Sequence, residues 1–272
     1  MKNITIGIIT MYRKNYGAFY QALALEKMLL SLGYSPELIR YDYHNDNSFR
    51  DIPLSVLRRN PVGFFKKVAV SFIRNKDRKN RSQIFDNSIE RCLLESDNIY
   101  KHYKFLKDNP PFYDIYLTGS DQVFNPYFTP HANSSRLLEF ASGIKVSYAA
   151  SAGTISFSNS YKQSLIENLK KFSTISVREE ELKTFLEPNL LGKSIVRNVD
   201  PTLLLSCEQW SEFAIKPEGL TDKYIFYYQV STDNGLFEAT SKMSEVLQLP
   251  VYTGDGYKKF KNQIQLKSPY QI

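Results

Sequence analysis

An arginine and a glutamate stand together at the end of a predicted β-strand, at Arg178 and Glu179. The strand is the apolar run 174–177, and a helix is predicted to begin directly after it. Because the guanidinium group is rigid and forked, it can hold a phosphate or a carboxylate by paired hydrogen bonds. Arg178 is therefore the candidate for binding an anionic substrate. The alternative is a surface arginine that forms an ion pair with Glu179 or Glu181.

A second polar cluster follows the predicted strand 112–117 and runs from Thr118 to Pro126. A glycine is followed there by a series of hydrogen-bonding side chains, of which we select Gly119, Ser120, Asp121 and Gln122. Such a density of polar groups before an aromatic residue indicates a pocket wall. The alternative is an ordinary serine–aspartate cap at the end of a strand.

A third cluster, formed by Asn15, Tyr16 and Gly17, follows the first predicted strand. Gly17 permits the backbone to approach a ligand closely, and the free amide groups of a new helix attract anions. The alternative is a tight turn into that helix. A fourth polar strand end, 198–202, is interpreted as a strand end turned by Pro201.

The elements that position these clusters follow from hydrophobic periodicity. Compact β-branched runs predict buried strands, and apolar positions three or four residues apart predict helices. Six strands are predicted, at 4–9, 38–41, 112–117, 146–150, 174–177 and 194–199, and helices at 18–32, 161–172 and 178–186. Because they alternate, the fold class is α/β with a doubly wound, mostly parallel, Rossmann-like sheet. The carboxyl ends of parallel strands share one edge, so the polar clusters are expected to meet there.

The chain is divided by these patterns into two domains. Residues 1–216 form a Rossmann-like domain that contains a basic helical segment, 54–85, and the linker-like Pro217-Glu218-Gly219 follows. A strand at 224–230, a helix at 236–247 and a strand at 250–253 begin a second α/β domain, 217–272. Since an independent domain of this class needs on the order of 100 residues, we expect the second domain to be incomplete.

Positive charge is concentrated in one part of the chain. Residues 58–81 hold nine lysine and arginine residues and one acidic residue, Asp77, whereas the net charge of the whole chain is +7. Apolar residues alternate with the cations, which is typical of a solvated cationic helix or of a basic amphipathic helix on an anionic membrane surface. No nucleic-acid-binding motif is present, so specific nucleic-acid binding is not expected.

Composition and missing motifs exclude several classes of protein. With 42% hydrophobic and 23% charged residues, the chain is not mainly disordered. Two cysteines and three histidines without ligand spacing predict neither a disulfide framework nor a metal site. The P-loop, GxGxxG, GxSxG and HExxH motifs are absent. The amino terminus has no signal or membrane-spanning pattern, so we expect a cytoplasmic protein.

Taken in order, the polar strand ends resemble those of the polysaccharide pyruvyl transferase family. The resemblance covers roughly the first 205 residues. It is carried by Ile6 to Thr10, Asn15 to Ala18 with Gln21 to Leu25, Tyr113-Asp114, Gly119 to Asn125, Ser147 to Gly153, Ile175 to Glu179 and Asp200 to Leu205. Where the family usually has tryptophan after the Gly-Ser-Asp-Gln-Val run, this chain has Phe124.

The resemblance implies two α/β domains, as in glycosyltransferases of the two-Rossmann (GT-B) type. It implies a transferase that adds a pyruvate ketal from phosphoenolpyruvate to a sugar of a cell-surface polysaccharide or its lipid-linked precursor. No other cofactor is implied. Arg178 is the candidate anion clamp and Asp121 the candidate for orienting or deprotonating the sugar hydroxyl, and the other selected residues bind substrate.

Alternatives from other classes remain open. Family members normally continue into a histidine-containing motif in the second domain, and this chain ends about where the segment leading to that motif begins. A chain shortened in this way is expected to be a weakened transferase or a noncatalytic binding or scaffold protein. A nucleotide-sugar glycosyltransferase of the same architecture is the third interpretation. Contact with the inner face of the membrane through 58–81 is a further expectation.

Overall fold

The computed structural model describes residues 3–13, 15–41, 85–127, 130–217, 219–229, 234–253 and 263–265. Contacts divide the chain into two compact units. The described residues of the first lie within Met1–Ser82 and Ile89–Leu205, and those of the second within Gln83–Ser88 and Ser206–Ile272. The segment 58–81, whose charge suggested a membrane contact, lies outside the described residues, as does 54–85 apart from Phe85.

The first unit is built on a four-stranded parallel sheet. Its strands are β1 (Thr5–Ile9), β2 (Ser35–Leu38), β3 (Ile115–Thr118) and β4 (Ile144–Ser147), in the order β2-β1-β3-β4. Four of the five β1 residues are buried, in agreement with the β-branched run from which this strand was predicted. The α/β class is therefore confirmed, and a parallel sheet of this kind is consistent with a Rossmann-like fold.

The second strand differs from its prediction at 38–41. In β2, Ser35 pairs with Thr5 and Leu38 pairs with Ile8, and only an isolated bridge involves Tyr41. The strand therefore begins at Ser35 and includes Pro36. Because β2 lies at the edge of the sheet, its proline removes no hydrogen bond that a neighbouring strand requires.

Two further strands continue the sheet. β5 (Ile175–Val177) and β6 (Ile195–Arg197) pair in parallel, and isolated bridges join Val146 to Thr174 and Ala150 to Val177. Serine side chains complete this connection, since Ser176 N donates to Ser147 Oγ at 3.0 Å and Ala149 N donates to Ser176 Oγ at 3.0 Å. The six strands thus lie in the spatial order β2-β1-β3-β4-β5-β6.

Helices lie between these strands; those near 18–32, 161–172 and 178–186 were predicted from periodicity, and the other three were not predicted. They are α1 (Tyr16–Ser31), α2 (85–92), α3 (Tyr103–Asp108), α4 (Pro130–Arg136), α5 (Asn159–Leu169) and α6 (Glu180–Leu186), with 3₁₀ turns at Glu187–Asn189 and Pro201–Leu203. Gly33 was predicted to end this helix in the left-handed conformation. It lies just beyond the end of α1 and has a φ of +84°, which confirms the prediction. One continuous buried apolar cluster links residues of the sheet and helices, from Ile9 to Ile195.

The second unit contains α7 (Cys207–Ser211), β7 (Ile225–Tyr227), α8 (Asn234–Leu247), β8 (Val251–Thr253) and β9 (Gln263–Gln265). The three strands form a parallel sheet in the order β7-β8-β9. Contacts separate the units between Leu205 and Ser206, whereas linker composition suggested 216–217. The short helix around Trp210 belongs to the second unit by this criterion. Across the described residues, no helix combines the length and apolar character needed to cross a bilayer.

Candidate functional site

The loops after β1 and β3 are tied together by a buried glutamine of α1, Gln21. Its Nε2 donates to Thr10 Oγ1 at 3.0 Å and to Met11 O at 2.7 Å, and its Oε1 accepts from Ser120 N at 3.0 Å. Gln21, Thr10 and Ser120 are each at most 2% exposed. The side chain therefore fixes the two loops at the carboxyl edge of the sheet, between β1 and β3, where the order of the strands reverses. Gln21 was not among the predicted site residues.

Ser120 and Gly119 shape this edge of the sheet through close contacts with the residues that follow β4. Ser120 is fully buried, and its hydroxyl donates to Ala149 O at 2.7 Å. Gly119 has a φ of +114°, and a Cβ atom there would overlap the carbonyl oxygen of Tyr148. The glycine is thus required by the close approach of two loops. Direct substrate binding by Gly119 and Ser120 stays a prediction, and neither residue lines the crevice described below.

The third polar cluster, formed by Asn15, Tyr16 and Gly17 after β1, has a similar local role. Asn15 is the N-cap of α1, and its Oδ1 accepts from Ala18 N at 3.0 Å. Tyr16 is buried, and Gly17 is exposed within the first turn of the helix. The alternative interpretation, a tight turn into a helix, describes this geometry. None of the three lines the crevice described next.

A crevice of about 470 Å³ opens where the loops after β3, β4 and β5 meet α6. Three of the predicted site residues, Gln122, Arg178 and Glu179, line it. Gln122 is held by Asn125, whose Nδ2 donates to Gln122 Oε1 at 2.7 Å. The volume lies within the range of ligand pockets, about 300–1,000 Å³.

The rest of the lining was not predicted as a site. It consists of Ser151, Ala152, Gly153, Thr154, Ile155, Glu181 and Leu182. Ser151 to Gly153 stood within the motif that carried the family resemblance, so the signal was in the sequence. Glu181 entered the sequence analysis only as a possible ion-pair partner of Arg178.

Arg178 lies in the crevice between two carboxylates. Its Nε donates to Glu179 Oε1 at 2.9 Å, and its Nη1 donates to Asp200 Oδ2 at 2.7 Å. The Arg178 side chain remains 28% exposed, so the guanidinium is accessible to a ligand. The ion pair between Arg178 and Glu179, which was the alternative interpretation, is thus present together with the accessible guanidinium. An anion that approaches Arg178 must compete with these two carboxylates.

Asp200 is a site residue that the sequence analysis missed. It was interpreted as part of a strand end turned by Pro201 and as part of a motif that carries the family resemblance, but not as a site residue. Its Oδ1 accepts from Thr202 N at 3.0 Å and from Thr202 Oγ1 at 2.8 Å, while its Oδ2 accepts from Arg178. One carboxylate therefore caps a 3₁₀ turn and orients the arginine. An aspartate directly before proline, at a strand end, was the available signal.

Asp121 lies beside this ion pair across the strand ends. Isolated parallel bridges join Asp121 to Ala150 and Ala150 to Val177, and Arg178 N donates to Ala150 O at 3.0 Å. Adjacent strands are about 4.8 Å apart, so Asp121 and Arg178 are separated by a single intervening strand end. The backbone of Asp121 has a φ of +62°, a conformation that non-glycine residues adopt mainly where the surroundings impose it.

Burial raises the pKa of the Asp121 carboxyl group, because the charged form loses hydration. The amide of Gln122 and the charges of Arg178 and Arg136 oppose this change of pKa, whereas the charge of Asp200 adds to it. Arg136, on α4, is 3% exposed and was not predicted as part of the site. The arrangement combines an accessible guanidinium with a carboxyl group that holds its proton more tightly than usual. Such a pair can bind an anion and transfer a proton.

Comparison with known families was made over the whole chain. A family model described as "Polysaccharide pyruvyl transferase" matches residues 15–269. A search of curated proteins found no match. The matched range begins after β1, includes the greater part of both units and contains every predicted site residue.

Proposed function

Because the chain belongs to the polysaccharide pyruvyl transferase family, we propose that it transfers pyruvate from phosphoenolpyruvate to a sugar of a cell-surface polysaccharide or its lipid-linked precursor. The match over residues 15–269 is the observation that carries this proposal. The crevice with Arg178 and the nearby Asp121 supports it, because the reaction requires an anion-binding group and a proton carrier.

The proposed reaction begins with protonation of the methylene carbon of phosphoenolpyruvate. This step converts the methylene group to a methyl group and leaves a cationic carbon that bears the carboxylate and the phosphate ester. A sugar hydroxyl attacks this carbon and loses its proton. Phosphate then leaves with its bonding electron pair, and a second hydroxyl closes the ketal with loss of another proton. Phosphoenolpyruvate is the activated donor, so the proposed reaction includes no further cofactor and no metal.

Arg178 is the proposed anion clamp for the phosphate or carboxylate of the donor. Its forked guanidinium is accessible in the crevice and is already oriented by Glu179 and Asp200. A bound anion replaces one of these carboxylates at the guanidinium. The affinity for the anion therefore reflects the difference in free energy between the new ion pair with Arg178 and the ion pair that it replaces. Gln122, on the same wall, supplies an amide for hydrogen bonds to the substrate.

Asp121 is the proposed proton carrier. Its raised pKa increases the fraction of protein in which this carboxyl group is protonated. In that form it can protonate the donor, and the resulting carboxylate can accept a proton from the sugar hydroxyl. Asn15, Tyr16, Gly17, Gly119 and Ser120 hold the surrounding loops in this proposal.

The test is transfer of labelled pyruvate from phosphoenolpyruvate to saccharide acceptors, in the wild type and in arginine variants. We expect Arg178→Ala to lower kcat/KM by about 100-fold, the effect of removing one charge-stabilising donor. Arg178→Lys should restore only part of the activity, because an ammonium group lacks the fork. The control is Arg197→Ala, since Arg197 is 59% exposed and pairs only loosely, at 3.6 Å, with Glu180. Equal activity of Arg178→Ala and Arg197→Ala would refute the assigned role.

Two finer features are also part of the proposal. The family resemblance supports a two-domain, glycosyltransferase-B-like architecture. The basic composition of 58–81 supports a cytoplasmic protein that contacts the anionic inner face of the membrane. Sedimentation with anionic but not neutral vesicles at low salt would support that contact, and equal recovery with both vesicles would contradict it.

A further inference from the structure

The carboxyl edge of the sheet carries two further arginines, Arg13 and Arg40. Arg13 follows β1, and Arg40 follows β2, which pairs with β1 in parallel. Arg178 follows β5, three strands from β1, so about 14 Å of sheet separates the two strand ends. Neither Arg13 nor Arg40 lines the crevice, and Arg13 precedes the range that matches the family model. The proposed function therefore gives these two arginines no role.

One carboxylate, that of Glu95, lies between the two guanidinium groups. Its Oε1 accepts from Arg13 Nη2 and from the hydroxyl of Tyr12, and its Oε2 lies 3.8 Å from Arg40 Nε. The Glu95 side chain is 11% exposed, whereas those of Arg13 and Arg40 are 23% and 38% exposed. The carboxylate is thus set back from the solvent, and both guanidinium groups remain accessible beside it.

This cluster has an excess of positive charge. Two guanidinium groups share the single carboxylate of Glu95. Another carboxylate close by, that of Glu26, bonds to the backbone amide of the residue before Glu95, but it is fully buried and paired with Lys27 at 3.1 Å. An anion near Arg13 and Arg40 is therefore attracted, and partial burial reduces the screening of that attraction by water and salt.

The guanidinium group of Arg40 is fixed at its base and open at its head. Its backbone amide donates to Ser96 Oγ at 2.9 Å, and its carbonyl oxygen accepts from Tyr100 N at 2.8 Å. Within the described residues, its side chain forms no hydrogen bond and has only the loose ion pair with Glu95. Arg178, by contrast, donates to two carboxylates. An anion that binds Arg40 therefore displaces no hydrogen bond among the described residues.

From this geometry we propose that Arg13 and Arg40 form a second anion site, whose ligand is a phosphate ester. A carboxylate has two oxygens, which a single guanidinium occupies, whereas the anionic oxygens of a phosphate ester point in several directions and can accept from two guanidinium groups at once. The carboxyl edge of a parallel sheet is also where ligands of such folds bind. A phospholipid headgroup and a soluble phosphate ester share this chemistry. The proposal does not depend on the reaction assigned to the Arg178 crevice.

The first test measures binding of soluble probes to Arg178→Ala protein, so that the crevice contributes as little as possible. The probes are methyl phosphate, glycerol 1-phosphate and acetate. NMR spectra of the arginine Nε–Hε groups locate the site, and titration gives Kd. Both phosphate esters should shift the signals of Arg13 and Arg40. They should bind about tenfold more tightly than acetate, the factor expected for one additional hydrogen bond between charged groups.

Arg40→Ala, in the same Arg178→Ala background, should weaken binding of both phosphate esters about tenfold. Arg40→Lys should restore only part of the affinity, because an ammonium group keeps the charge but lacks the fork. Arg197→Ala is the matched control, since Arg197 also ends a strand, is 59% exposed and is loosely paired at 3.6 Å. It should leave Kd unchanged. Because the Arg40 side chain forms no hydrogen bond among the described residues, its removal should not unfold the protein.

A second test separates the two sources of the phosphate. It compares sedimentation of wild type, Arg40→Ala and Arg197→Ala with vesicles of phosphatidylglycerol and of phosphatidylcholine, with the basic segment 58–81 intact in all three. A loss with phosphatidylglycerol that is confined to Arg40→Ala identifies a lipid headgroup. Equal sedimentation of all three, together with the weaker soluble binding of Arg40→Ala, identifies a soluble phosphate ester. Both outcomes support the site.

Three results overturn the proposal. One is equal affinity of Arg40→Ala and Arg197→Ala for methyl phosphate. Another is equal affinity of the Arg178→Ala protein for methyl phosphate and acetate. The third is binding of the phosphate esters without a change in the signals of Arg13 and Arg40.

Discussion

The protonation of Asp121 depends on charged groups from three different elements. Arg178 follows β5, Asp200 follows β6 and Arg136 ends α4. The charges of Arg178 and Arg136 lower the pKa of Asp121, and the charge of Asp200 raises it. The proton affinity of this carboxyl group is therefore a property of the assembled strand ends. Changing one of these neighbours should change the pH dependence of the reaction in a direction that can be stated beforehand.

Asp200→Asn should shift the limb of the kcat/KM–pH profile that reports Asp121 to lower pH. The negative charge of Asp200 raises the pKa of Asp121, so its removal lowers that pKa. The direction is the same whether Asp121 acts as acid or as base. The measurement is the pH profile with saturating acceptor and varied phosphoenolpyruvate.

Glu179→Gln is the matched control for this prediction. It removes the other carboxylate bound to Arg178, but Glu179 is not among the groups that shift the pKa of Asp121. Its profile should keep the wild-type limb. A limb that moves equally in both variants would show that the orientation of Arg178, and not the charge of Asp200, controls the profile.

At the scale of elements, the site is held by contacts between loops. Gln21 connects α1 and the loop after β1 to the loop after β3, and serine side chains complete the link between β4 and β5. Buried polar groups of this type destabilise the fold when one partner is removed. The geometry of Asp121 and Arg178 therefore depends on residues that do not line the crevice.

Gly119→Ala should destabilise the first unit by about 3 kcal/mol, through strain at positive φ and a forced separation of two loops. A Cβ atom at this position overlaps Tyr148 O and the φ is +114°. Gly17→Ala is the control, because a Cβ atom there would lie 3.4 Å from Asn15 Oδ1, and alanine favours the helix. Urea unfolding of both variants measures the difference. Equal stability of the two would contradict the assigned role of Gly119.

For the molecule as a whole, a buried carboxyl group links stability to pH. Glu26 on α1 is fully buried, and its Oε2 accepts from Leu94 N at 2.7 Å. Burial raises the pKa of Glu26, although the bond from Leu94 and the nearby Lys27 oppose the shift. The folded chain therefore binds this proton more tightly than the unfolded chain does. The contribution of Glu26 to the free energy of unfolding therefore falls as the pH rises from about 4.5 through the raised pKa.

Glu26→Gln should increase the free energy of unfolding at pH 7 by about 1 kcal/mol, since an amide keeps the bond to Leu94 N without burying a charge. The gain should vanish at pH values below the ordinary carboxyl pKa. Denaturant unfolding at several pH values provides the measurement. A gain that is constant across pH would show that ionisation of Glu26 is not its cause.

Local patterns were sufficient to predict much of this molecule. The β-branched run at 4–9 predicted β1, because a strand buried on both faces is continuously apolar. The apolar spacing at 18–32 with Gly33 predicted α1, because burial of one helix face imposes a period on the sequence, and six strands alternating with helices predicted the α/β class. The ordered polar strand ends predicted the family, which the match over 15–269 confirms. The edge strand β2 was predicted at 38–41 and lies at Ser35–Leu38, because Pro36 is atypical of a strand.

Tertiary structure decided which polar residues share a crevice. Gln122, Arg178 and Glu179 meet Glu181 and the loop 151–155, whereas Ser120 and Asn15 are bonded to the backbone. Asp200 joins Arg178 only because β6 lies beside β5. Distances between strand ends depend on strand order and loop paths, and these arise from contacts between residues far apart in sequence. A single sequence records the residue types at each strand end, but only the folded chain determines which of them become neighbours.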